Sequence, residues 1–137
     1  MRLQKWIFFQ GELWLASRDM NESKLKPIEL PPLDDAALKG IVQKIVNAFH
    51  PLRIILFGSR ARGDHRADSD LDLFVEMETP DPPLERRVKV RRLFRPSPCG
   101  MDILVYTPEE VAARRNSLAS LVPLIEKEGK VLYEQRG

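Results

Sequence analysis

Eleven prolines divide the 137-residue chain into short segments, and this punctuation limits the fold more than any other feature. A proline has no backbone N–H and pushes the residue before it out of helical geometry, so long helices are excluded wherever prolines crowd. Pro27, Pro31 and Pro32 close a first zone, residues 1–33, that shows no sustained hydrophobic period. Within it Trp6, Phe8, Trp14 and Leu15 suit an N-terminal arm or short hairpin, the alternative being a poorly ordered extension. Residues 34–137 read as a single domain, since the chain is too short for two of ordinary size.

The segments between the prolines have distinct periods. Asp34-Asp35 is a helix start, Leu38, Ile41, Val42, Ile45 and Phe49 recur at helical spacing, and Pro51 ends that helix at His50. Leu52 to Phe57 is an apolar run of strand length that stops at Gly58. A polar loop or helical turn follows over 59–69, and Asp70 to Glu78 alternates as a second strand. Pro80, Pro82 and Pro83 open a helix over 84–95, which Pro96, Pro98 and Gly100 close. Met101 to Tyr106 is a third strand. Thr107-Pro108-Glu109-Glu110 combines an N-cap, a first-turn proline and a glutamate three residues after the cap. A last helix carrying Leu121, Leu124 and Ile125 ends at Gly129, with Val131 to Tyr133 as a short strand. Helices alternating with strands predict an α/β or α+β sheet with helices packed on it.

Composition excludes several classes. A single cysteine allows no internal disulfide, and with two histidines it makes a structural zinc site unexpected. No apolar run approaches the roughly 20 residues that span a bilayer. The basic and apolar start, Met1-Arg2 to Phe9, breaks off at Gln10-Gly11-Glu12 without a small-residue cleavage site, so it reads as non-secretory and the protein as cytoplasmic. A net charge of +2 is too small to argue for nucleic-acid binding. The basic segment Arg86, Arg87, Lys89, Arg91, Arg92 and Arg95 reads first as a solvated helix face, and it lacks the aromatic residues of single-strand binders.

The chemistry concentrates in Gly58-Ser59-Arg60-Ala61-Arg62-Gly63 and in Asp70-Leu71-Asp72. Two residues apart on a strand means the same face, so Asp70 and Asp72 stand together opposite Leu71, Leu73 and Val75. Carboxylates this close repel, and a hard divalent cation such as Mg²⁺ relieves the repulsion. Acids on an exposed strand face are also common as plain solvated surface, and the pair alone does not separate the two readings. Asp102, between Met101 and Ile103, would add a third ligand if its strand lies beside the first pair. Three such acids can hold two cations for phosphoryl chemistry. A strand ending in Gly58-Ser59 offers free N–H groups and a hydroxyl to a phosphate, and Arg60, Arg62 and Arg66 offer charge-assisted hydrogen bonds. The P-loop pattern is absent. The series Asp68, Asp70, Asp72 lacks the glycine and the final glutamate of a calcium loop.

Gly58-Ser59, Asp70-Leu71-Asp72 and Met101-Asp102-Ile103 together resemble the polymerase-β-like nucleotidyltransferase superfamily. Ser69 to Leu73, Val105 to Glu110 and the ending Glu128 to Tyr133 are similar to its minimal nucleotidyltransferase group, over roughly residues 34–134. The resemblance implies a nucleotidyltransferase fold with a mixed sheet flanked by helices. It implies two metal ions, Mg²⁺ or alternatively Mn²⁺, on Asp70 and Asp72, with Asp102 serving the catalytic ion and the attacking hydroxyl. Gly58 and Ser59 would hold the triphosphate, with Arg60 and Arg62 beside them. The group further implies ATP as donor and an all-helical HEPN-type toxin as partner, whose tyrosine receives AMP in a toxin–antitoxin pair of the type VII kind. The alternative is a non-catalytic antitoxin that neutralises its toxin by contact. Self-association into a homo-oligomer is compatible with a domain of this size. Residues 1–33 depart from the group's pattern.

Overall fold

Asp34 accepts a 2.7 Å hydrogen bond on its carboxylate from the Ala37 N–H, and the helix that follows owes its start to this cap. In the computed structural model, which describes residues 5–9, 12–16, 26–27, 33–66 and 68–135, that helix (α1) spans Asp35–Phe49. It ends where His50 turns into the left-handed region, with φ 47°, and its N–H donates to the Val46 carbonyl. Pro51 is the cause: the residue before a proline is driven out of the right-handed helical region.

The chain divides into two compact units, residues 1–31 and 32–137. In the first, β1 (Lys5–Phe9) and β2 (Glu12–Ala16) form an antiparallel hairpin, and β3 (Lys26–Pro27) pairs antiparallel with β2. The side chains of Trp6, Phe8, Trp14 and Leu15, on which the expected packing rests, lie outside what the structure describes.

The second unit is built on four strands: β4 (Arg53–Phe57), β5 (Leu71–Glu76), β6 (Met101–Tyr106) and β7 (Lys130–Glu134). Their order is β6-β5-β4-β7. β4 runs antiparallel to β5 and β7, while β5 and β6 are parallel, so the sheet is mixed. A parallel pair needs a crossover, and α3 (Pro83–Arg91) supplies it. The remaining helices are short: α2 (Ser59–Arg62), α4 (Pro108–Arg114) and α5 (Val122–Glu128). At α4 the Thr107 hydroxyl accepts from the Glu110 N–H at 3.3 Å, the cap that the Thr-Pro-Glu-Glu run predicts.

Alternation along the strands fills two cores. One face sends Ile54, Leu56, Leu71, Leu73, Val75, Ile103 and Val105 against Ile41 and Ile45 of α1 and Val90 and Phe94 of the crossover. The opposite face sends Ile55 and Phe74 against Val111 of α4 and Val122 and Ile125 of α5. Each fully buried aliphatic or aromatic side chain contributes about 1.5–3 kcal/mol, so the two layers fix the sheet from both sides. Among the described residues no helix is long and apolar enough to cross a membrane.

The basic segment departs from the sequence expectation in two ways. The helix ends at Arg91 rather than Arg95, and the chain turns through Arg92 and Leu93 toward a cis peptide at Arg95-Pro96. Its arginines are not all solvated: Arg86 is 5% exposed. The Arg86 guanidinium donates to the carbonyls of Asp81 and Val105 at 3.0 and 3.2 Å and pairs with Glu110 at 2.7 Å. It is a structural cross-tie from α3 to the outer strand β6, because a buried cation persists only with its donors satisfied.

Candidate active site

Helices α4 and α5 cover Ile55 and Phe74, but two residues along β5 the same face presents Asp72 instead of an apolar side chain. In-register pairing places Asp72 opposite Phe57 of β4 on one side and beside Asp102 of β6 on the other. Asp70 lies one step before β5, where the Leu71 N–H donates to the Gly100 carbonyl at 2.8 Å. Asp70 and Asp102 are exposed and Asp72 is half-buried. Two strands distant in sequence thus bring the three acids to one open end of a sheet face.

Two glycines make room for the carboxylates. A β-carbon added to Gly58 would fall 2.1 Å from Asp72 Oδ2, and one added to Gly100 would fall 2.1 Å from Asp70 Oδ1. Gly58 also has φ 76°, a left-handed conformation that few residues other than glycine adopt. The sequence predicts Gly58 at a strand-to-helix turn that approaches a phosphate, and Gly100 only as a helix stop. The role of Gly100 depends on the parallel register of β5 and β6, which no local pattern encodes.

The arginines divide their roles. Arg60 donates from Nε and Nη2 to the Ser69 carbonyl at 3.1 and 2.8 Å, which fixes the chain immediately before Asp70. Ser69 in turn accepts from the Arg66 N–H on its hydroxyl at 2.8 Å, so the loop is braced at its end. Arg62 is exposed, 3.3 Å from Asp64. Ser59 opens α2 directly after Gly58, and its carbonyl accepts from the N–H groups of Gly63 and Asp64 at 2.9 and 3.2 Å. Arg87 is an additional member, although its place in the basic segment predicts a solvated side chain. Its Nη2 lies 3.6 Å from Asp102 Oδ1, and its Nε donates to the Ile103 carbonyl at 3.2 Å.

The electrostatics follow from this crowding. Burial pushes the Asp72 carboxyl above the usual carboxylate range, the charges of Asp102 and then Asp70 push it further, and Arg62 pulls it back. An ionised acid that is part-buried between two like charges favours a cation nearby. All-carboxylate oxygen donors of this kind suit a hard divalent ion. As the side chains stand, no three His, Cys, Asp or Glu residues among the described ones close around a metal position, and Arg87 balances part of the Asp102 charge.

The sequence profile of the nucleotidyltransferase domain family matches residues 37–95, from α1 through the crossover helix. Over that segment the chain is similar to nucleotidyltransferase domains. Its fold is similar to that of a proposed nucleotidyltransferase from Sulfolobus solfataricus, whose crystal structure superposes with a TM-score of 0.52 at 24% identity, covering 72% of this chain and 78% of that one. No curated protein matches the chain. The profile includes Gly58, Ser59, Asp70 and Asp72, while Asp102 lies beyond it and reaches the site through the register of β6. A nucleotidyltransferase domain implies a nucleotide substrate, and the family generally uses divalent metal ions.

Proposed function

We propose that this nucleotidyltransferase domain transfers AMP from ATP to a hydroxyl of a partner protein, a tyrosine of a HEPN-type toxin, and that the chain acts in the cytoplasm as the antitoxin of that pair. The observation that carries the transfer reading is the pairing of Asp72 with Asp102 across β5 and β6, with Asp70 beside them on the same open face. The resemblance of Gly58-Ser59, Asp70-Leu71-Asp72 and the Val105 to Glu110 run to minimal nucleotidyltransferases supports the choice of acceptor.

In this reading Asp70, Asp72 and Asp102 would hold divalent ions, Mg²⁺ or Mn²⁺, which would supply charge neutralisation for the phosphates. Gly58 gives close backbone approach to the triphosphate, and Ser59 and Arg62 bind its oxygens. Arg60 keeps Asp70 in place through the Ser69 carbonyl. The acceptor oxygen attacks the α-phosphorus in line, the bond from that phosphorus to the bridging oxygen breaks, and pyrophosphate departs with the electron pair. The acceptor proton passes to the Asp102 carboxylate, which is exposed on β6. Arg87 positions that carboxylate.

Labelled AMP from ATP should appear on a co-purified HEPN partner with the wild-type chain and fall to background with Asp70→Ala. Absence of transfer across Mg²⁺ and Mn²⁺, or transfer indifferent to Asp70→Ala, defeats the reading. Toxin neutralisation that survives Asp70→Ala and Asp72→Ala together would instead establish an antitoxin working by direct binding.

A further inference from the structure

On the β4 side the acid-bearing end of the sheet continues into a cleft of about 180 Å³. One wall is the end of β4 and the turn after it, with Phe57, Gly58 and Arg62; the other comes from the α5 region, with Leu121, Leu124 and Glu128. Leu121 and Leu124 are 52% and 48% exposed, one helical turn apart. Val122 and Ile125 occupy the buried positions of the same helix, so the leucine pair is surplus to the core. Single exposed leucines are ordinary, but two that line one cleft with Phe57 form an apolar surface without a partner among the described residues.

Gly58 belongs to both places. It abuts the Asp72 carboxylate, where a β-carbon would stand 2.1 Å from Oδ2, and it lines the cleft. A molecule that reaches from the acids into the cleft passes along its bare backbone. Pockets for whole small-molecule ligands measure roughly 300–1,000 Å³, so this one has the size of a single moiety of a larger substrate.

Chemistry decides which moiety. Phosphates are costly to desolvate among leucines. The acceptor is excluded by direction, because the strand order β6-β5-β4 puts the cleft across β5 from Asp102, where the attacking hydroxyl belongs. What remains is a flat ring with apolar faces and a polar edge. We infer that the cleft between α5 and the β4–α2 turn is the nucleobase subsite, in which Leu121 and Leu124 contact the ring and the Glu128 carboxylate accepts from an exocyclic amine. The inference rests on the transfer reading above and adds a selection to it: an amino-bearing purine such as adenine is taken over hypoxanthine, whose carbonyl would face the Glu128 carboxylate.

Calorimetric binding of ATP, ITP and inorganic tripolyphosphate to the full chain with Mn²⁺ tests this, using the wild type, Leu124→Asn, Leu121→Asn and Glu128→Gln. Circular dichroism identifies the leucine variant that keeps the fold. Either leucine variant should weaken ATP at least about tenfold, ~1.4 kcal/mol, while tripolyphosphate stays within about twofold. Glu128→Gln, whose amide can donate to a carbonyl, should level the preference for ATP over ITP. Equal weakening of ATP and tripolyphosphate overturns the subsite. So does unchanged ATP affinity with a raised KM for the acceptor alone, which assigns the cleft to the acceptor. Wild-type ATP binding that a folded leucine variant leaves intact overturns the subsite and spares the transfer reading. A wild type that binds neither ATP nor tripolyphosphate overturns both.

Discussion

A methyl group at Gly100 would meet only the end of the Asp70 side chain, 2.1 Å from Oδ1, and Gly100 has no left-handed backbone to protect. The carboxylate can therefore swing aside, and the fold loses little. Its function does not escape, because the displaced atom is a proposed metal ligand. Gly100→Ala should leave stability within about 1 kcal/mol of wild type. Its transfer rate should fall at least about tenfold, since a misplacement of about 1 Å at a reacting site can cost far more than that. Denaturant unfolding and single-turnover labelling read the two effects separately. Gly58 differs, since φ 76° strains any substituted residue as well as crowding Asp72. At this scale the sequence is partly transparent. The shared face of Asp70 and Asp72 is legible from their spacing, and Asp102 stands out among apolar neighbours. Gly100 and Arg87 do not, because their contacts, to Asp70 and to Asp102, cross between segments that only the folded sheet brings together.

Elements were legible where a cap or a proline fixes them. Asp34, Thr107 and Pro51 set boundaries through local hydrogen bonds and sterics: α1 begins and ends, and α4 begins, where those residues require. The sequence predicts the crossover helix over 84–95 because no strong terminator precedes Pro96, whereas it ends at Arg91, before the turn that carries Phe94 into the core. The junction of α5 with β7 shows a constraint that no periodicity reveals. A β-carbon on Gly129 would lie 2.4 Å from Ile55 Cγ2, 2.5 Å from the Ile125 carbonyl and 3.1 Å from the Leu56 carbonyl. Two of these are backbone atoms and cannot yield cheaply. Gly129→Ala should destabilise the protein by about 1–3 kcal/mol through overpacking, seen as a lower denaturation midpoint at unchanged m-value.

Across the whole second unit, charge pairs link the elements that the two cores stack. Arg53 pairs with Glu76 at 2.7 Å and with Glu126 at 3.2 Å, and Arg115 reaches Glu126 at 2.9 Å, so β4, β5, α5 and the end of α4 share one network. The Arg115 hydrogen bond holds Glu126 below the usual glutamate range, and the Arg86 hydrogen bond does the same for Glu110. A carboxyl depressed in the folded state adds stability that is present above its unfolded value of 4.5 and is lost as pH falls through its folded one. Glu110→Gln should therefore cost about 2 kcal/mol at neutral pH. The gap from wild type should close as pH drops below the ordinary glutamate value, measured by urea unfolding across that range. A gap that stays constant with pH would show that packing, not charge, holds the tie.

The same arginines have a consequence for how copies of the protein can meet. On β6 the side chains of Arg86 and Arg87 occupy the carbonyls of Val105 and Ile103, the acceptors that an incoming strand would need. Sheet extension is blocked on that flank, beside the carboxylates, so neither a dimer nor an aggregate built by strand addition can bury Asp102 from there. The acid-bearing end of the sheet is thereby screened from strand addition on the β6 flank.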